Sequence, residues 1–147
     1  MPSAGESVIA GRMPGERIAT QIDTADSGTF TTTETTVQTV VAALVNGRTY
    51  RIKHHTRWGT SVSGDRINSR LREDNSVGNE LQSANVIVDV TATGSGFPGD
   101  LEVEYTAVAT GNKTFVATGI RGSGTGNCFM EAAANRPSYL YVDYIRG

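Results

Sequence analysis

Turn signals recur along this chain at short intervals, and that spacing limits the folds open to it. Gly, Asn, Asp and Ser gather in "TADSG" (24–28), "NG" (46–47), "SGD" (63–65), "NSVGN" (75–79), "TGSGFPGD" (93–100), "TGN" (110–112) and "GSGTGN" (122–127). Between them lie runs rich in Thr, Val and Ile, whose branched side chains suit a pleated surface. Such runs, cut about every 8–12 residues, predict an antiparallel β-sandwich or barrel. No twelve-residue window keeps a helical period, and no fixed-period repeat is present.

The strands read as follows. "RIATQID" (17–23) is the first. "TFTTTETTVQTVVAALV" (29–45) holds one long strand, or two with a bend. Asn46-Gly47 is a strong hairpin signal, because both positions tolerate positive φ, and "RTYRIKHHTRW" (48–58) returns from it. "RINSRLRED" (66–74) alternates Ile67, Ser69 and Leu71 against arginines and asparagine, a strand with one wet face. "ELQSANVIVDVTA" (80–92), "LEVEYTAVA" (101–109), "KTFVATGIR" (113–121) and "CFMEAAA" (128–134) follow. The last run, "RPSYLYVDYIRG", carries large apolar groups on both faces. Leu140, Val142 and Tyr144 alternate with Tyr139, Tyr141 and Ile145. Chain ends usually fray; this one demands burial.

With 147 residues the chain is read as a single domain, 17–147, behind an extended Gly/Pro-rich arm, 1–16. A net charge of -2 does not favour a nucleic-acid partner. The lone Cys128 rules out an intrachain disulfide. No apolar run approaches the roughly 18 residues of a membrane span. The first residues lack the charged and apolar regions of a secretory signal, so synthesis in a cytoplasm is expected.

No catalytic constellation stands out in the sequence. His54 and His55 are adjacent and point to opposite faces of a strand, so they cannot chelate one metal. Glu102 and Glu104 share a wet face, where carboxylates are usually solvated. The glycine-rich loops join strand to strand and do not open a helix, unlike phosphate-binding loops. Cys128 reads as a small buried hydrophobe. Arg48, Arg51, Arg57, Arg66, Arg70 and Arg72 read as ion-pairing groups on a sheet face, with an acidic docking partner as the sharper alternative. The expectation is a non-enzymatic binding or structural module with no cofactor, metal, nucleic-acid, membrane or small-molecule partner.

Four segments carry a resemblance: "TFTTTETTVQTVVAALVNGRTYRIK", "INSRLREDNSVGNELQ", "EYTAVATGNKTFVATGIRGSGTGN" and "NRPSYLYVDYIRG". Together they resemble small structural proteins of actinobacterial tailed phages, of the minor tail or capsid decoration type. The pattern is also similar to trimeric jelly rolls of the C1q and tumour-necrosis-factor kind. The resemblance covers about residues 17–147 and rests on strand-and-turn patterns. It implies an all-β, antiparallel, jelly-roll-like β-sandwich of about eight to ten strands. It further implies a virion protein: a homotrimer decorating the capsid, or a tail component, with other virion proteins as partners. The terminal strand would then be central and covered by neighbouring subunits, with either of its two faces toward the axis, and Tyr139, Tyr141, Tyr144 and Ile145 are the candidate interface residues. Val8, Ile9, Arg12 and Met13 of the arm are the candidate particle-attachment residues. The rival expectation is a host-attachment or carbohydrate-binding module at the tail, stacking sugars on Trp58, Tyr105 or Phe97.

Overall fold

The computed structural model describes residues 13–89 and 96–147, and its regular structure is all strand. The elements are β1 (Arg17–Asp23), β2 (Thr35–Leu44), β3 (Thr49–His55), β4 (Arg57–Thr60), β5 (Asp65–Glu73), β6 (Glu80–Val88), β7 (Phe97–Pro98), β8 (Leu101–Thr106), β9 (Gly111–Ser123), β10 (Cys128–Glu131) and β11 (Ser138–Arg146). One sheet has the order β1-β11-β3-β8 and the other β2-β9-β5-β6. A short sheet, β10-β4-β7, carries the first one onward, since β4 follows β3 after a single residue, Thr56. All pairings are antiparallel. Among the eight long strands, β5 and β6 are the sequence neighbours that pair within one sheet. Every other connection crosses from one sheet to the other, which is the jelly-roll winding.

That winding overturns one local expectation. Asn46-Gly47 does turn the chain, and Gly47 takes φ 81°. The strands it joins nevertheless lie in different sheets: β2 pairs β9, and β3 pairs β11 and β8. The turn is a corner between layers, fastened by Gly47 N–H donating to the Ala107 carbonyl at 2.8 Å. The Thr-rich run also enters the sheet later than its composition suggests, at Thr35. Ahead of it, Phe30 makes an isolated bridge to Cys128, and Glu34 crosses the sheet face as a side-chain anchor.

Two apolar clusters fill the sandwich. Leu140, Val142 and Tyr144 join Tyr50, Ile52, Leu71 and Phe115 in the larger. Trp58, Phe30, Ile67, Val88 and Met130 form the smaller. A buried polar group ties the layers together. Gln38 on β2 donates from Nε2 to the carbonyls of Gln21 on β1 (3.2 Å) and Ser138 on β11 (3.1 Å). Ser138 Oγ donates to Gln38 Oε1 at 3.1 Å or Thr56 Oγ1 at 2.9 Å. Buried polar atoms need such partners to offset their lost hydration.

Candidate functional site

The terminal strand answers its own sequence puzzle by position. β11 lies between β1 and β3, so backbone pairing continues on both sides. Leu140 and Val142 are fully buried and Tyr144 is 5% exposed; all three face the core. Tyr139, Tyr141, Asp143 and Ile145 are half-buried on the outer face. Tyr144 is therefore corrected from interface to core. Its ring lies 5.8 Å from that of Tyr50, and no neighbouring subunit can reach it while the sandwich is closed.

Register decides what surrounds the outer residues, because cross-strand partners share a face. Ile22, Tyr139 and His55 form one row, and Thr20, Tyr141, Lys53 and Glu102 the next. Arg17, Asp143, Arg51 and Glu104 form a third. The first two rows place a stripe of Ile22, half exposed at 50%, beside two tyrosines. The third is charged and paired. Arg17 Nε lies 2.9 Å from Asp143 Oδ1, and the guanidinium sits 3.6 Å over the Tyr141 ring. The Asp143 hydrogen bond holds the Arg17 pKa above its ordinary value. His55 meets Asp100 at 2.8 Å and lies beside Tyr139. Arg146 pairs with Glu104 at 2.8 Å and lowers the pKa of that carboxyl. The face thus has an apolar patch of Ile22, Tyr139 and Tyr141 at one end and a row of mutually paired charges across its middle, with Ile145 beyond it. Sequence reasoning missed Arg17, Ile22 and Asp143, because their roles arise from register between distant strands.

Met13 is 63% exposed at the end of the sandwich where β1 begins. Val8, Ile9 and Arg12 lie outside the described residues, as does the 90–95 stretch of the strand and loop readings. The last residues of the arm are tied to the sheet: Gly15 N–H donates to the Tyr144 carbonyl, and Tyr144 N–H to that of Glu16.

No protein-family model matches the chain, and no curated protein matches it. Among solved structures it is similar to the infectious bursal disease virus VP2 subviral particle, at 10% identity and a TM-score of 0.41. That alignment covers 86% of this chain and 37% of the capsid chain, so this chain spans just over a third of the viral protein. It is also similar to the CBM22-1 xylan-binding domain of Paenibacillus barcinonensis Xyn10C, at 5% identity and a TM-score of 0.42, covering 91% and 97% of the two chains. A third is TmCBM61 in complex with β-1,4-galactotriose, at 16% identity and a TM-score of 0.36, covering 74% and 62%.

The three candidate sugar platforms separate in the structure. Trp58 is fully buried, edge-on to Phe30 and to His54, so it is core and cannot stack on a ligand. Tyr105 is half-buried against Phe115, and its hydroxyl donates to Glu73 at 2.8 Å. Phe97 stays at the surface, 44% exposed.

The charged groups singled out in the sequence serve internal contacts. Arg70 and Arg72 converge on Glu34 at 3.0 and 2.8 Å and on Glu80 at 3.0 and 3.6 Å. Burial pushes the Glu34 carboxyl up, but hydrogen bonds from Arg72 and Thr118 and the two guanidinium charges outweigh it, and the group ends below its ordinary pKa. Asp65, 1% exposed, accepts from Thr60 Oγ1 at 2.6 Å and from the amides of Thr125 and Gly126 at 3.1 and 2.9 Å. The glycine loop 122–127 is thereby wrapped around a carboxylate of its own chain. A Cβ at Gly124 would stand 1.8 Å from that carboxylate. His54 Nε2 lies 3.5 Å from Ser138 Oγ, but the residues are 0% and 1% exposed, out of reach of any substrate. Burial lowers the His54 pKa to about 3, so the imidazole is neutral. Burial likewise raises that of the Cys128 thiol.

Proposed function

We propose that this protein is a non-enzymatic structural component of a tailed-phage particle, a homotrimer that decorates the capsid surface. The observation that carries the self-association is the outer face of β11. Tyr139 and Tyr141 stand mid-sheet beside the exposed Ile22, flanked by the paired Arg17–Asp143 row, and Ile145 follows on the same face beyond that row. Such a face can lose its water without stranding an unpaired ion, and subunit interfaces are enriched in aromatic residues. The virion reading is supported by the phage-protein resemblance of residues 17–147. The non-enzymatic reading is supported by the ionisable groups themselves: Asp65, Glu34 and His54 are committed to interior or strap contacts. Binding only to the assembled shell would stabilise it by mass action. The test is a binding assay on purified expanded and unexpanded phage shells. Saturable attachment to the shell supports the proposal; attachment to tails or to host cells but not to shells overturns it.

A further inference from the structure

The outermost strands of the two sheets are guarded unequally. β1 and β2 lie against each other, and Gln38 on β2 ties them by donating to the Gln21 carbonyl on β1. β8 carries Glu102 and Glu104, carboxylates that would meet their own kind if two such edges paired. β6 has neither safeguard. Among the described residues no strand lies beyond it, and residues 81–88 contain no charge, proline or glycine. Glu80, at its start, is held by Arg70 at 3.0 Å and by Arg72 at 3.6 Å. Natural sheet edges usually carry a charge, a proline or a cover against pairing.

Alternation fixes which backbone groups β6 offers. Gly64 N–H donates to the Val88 carbonyl at 2.7 Å, and Ser69 Oγ to that of Ala84 at 3.3 Å, so these residues bond toward β5. Ser83, Asn85 and Ile87 therefore turn their N–H and C=O groups away from β5. The Ser83 amide leans on the Gln82 side chain, donating to Oε1 at 3.0 Å. The side chains of all three are exposed, Ile87 at 55%.

We propose that β6 pairs edge to edge with β6 of a second copy of this chain, antiparallel about a twofold axis. Centred on Asn85, that register sets Ser83 opposite Ile87 and Asn85 opposite itself, where each side-chain amide can both donate and accept. The two Glu80 side chains fall at opposite ends, so like charges do not meet. Uncharged segments of strand-forming residues without proline or glycine are the ones that pair with their own copies, and "SANVIV" (83–88) is such a segment. The pairing joins two four-stranded sheets into one. Ser83, Asn85 and Ile87 are far fewer than the roughly 20–30 residues a side of a stable interface. The contact therefore forms where copies are crowded and not in dilute solution. β6 lies in the sheet opposite β11, so the inference stands apart from the trimer and virion readings.

Light scattering of the full chain from micromolar to near-millimolar concentration tests it. The expected result is a mass that rises at least twofold above its dilute value. Asn85→Pro removes an outward N–H at an edge position that tolerates proline, and Ile87→Lys puts a charge on the edge. Each should keep the dilute mass and abolish the rise; Ile87→Lys decides alone if the proline variant does not fold. A wild-type mass that stays flat would overturn the pairing, as would a rise that Ile87→Lys retains. Slow hydrogen exchange at the Asn85 and Ile87 amides already at micromolar concentration would show the edge covered by other means and overturn it too.

Discussion

At the residue scale, stability depends on polar groups that the fold has sealed in. His54 has a folded pKa of about 3 against an ordinary value near 6.5. A histidine with a lowered folded pKa is bound by more protons in the unfolded chain, so stability rises with pH between those values. The contribution is complete above about pH 6.5 and is lost as pH falls toward 3, by up to about 1.4 kcal/mol per unit. Chemical denaturation across pH 3–7 should show this slope, and His54→Gln should flatten it even though that variant starts less stable. Asp65 is the second case. Asp65→Ala strands the amides of Thr125 and Gly126 and should cost about 3 kcal/mol. Hydrogen exchange should rise first in the 122–127 loop. If that loop keeps its protection, the carboxylate does not hold it.

At the element scale, β11 separates core from candidate interface by alternation alone. Leu140→Ala should destabilise the subunit by about 2–5 kcal/mol, the usual cost of a buried leucine truncation. Tyr141→Ala should cost the fold only about 1 kcal/mol, chiefly through the Arg17 contact, while shifting the protein toward monomer. Thermal melting and light scattering on the two variants check both outcomes. What was legible in sequence follows the same logic. β5, β8 and β11 could be read because one face of each is apolar, or because both are. The inward face of β11 could not, because Tyr139, Tyr141 and Tyr144 look alike until the neighbours are known. Asn46-Gly47 announces a reversal but not the strand that receives it. Pairing partners in a jelly roll are distant in sequence, and so the Arg17–Tyr141–Asp143 cluster and the burial of Trp58 stayed hidden.

At the scale of the whole molecule, the chain enters a closed sandwich at one end through Gly15 and Glu16, and the proposed trimer would share the outer sheet face of β11. Removing residues 1–12 leaves every strand and the Gly15 and Glu16 bonds to Tyr144 in place. That deletion should therefore retain cooperative folding while abolishing attachment to shells, as read by melting and co-sedimentation. A collapse of the fold would show the arm to be part of the core. The proposed trimer makes the outer face of β11 a subunit interface. It is tested most directly by the native mass of the full chain in solution at micromolar concentration, measured by light scattering after size exclusion. Three times the chain mass of 15.6 kDa is expected, falling toward one chain in Tyr141→Ala. A wild-type protein that stays at 15.6 kDa throughout that range would contradict it.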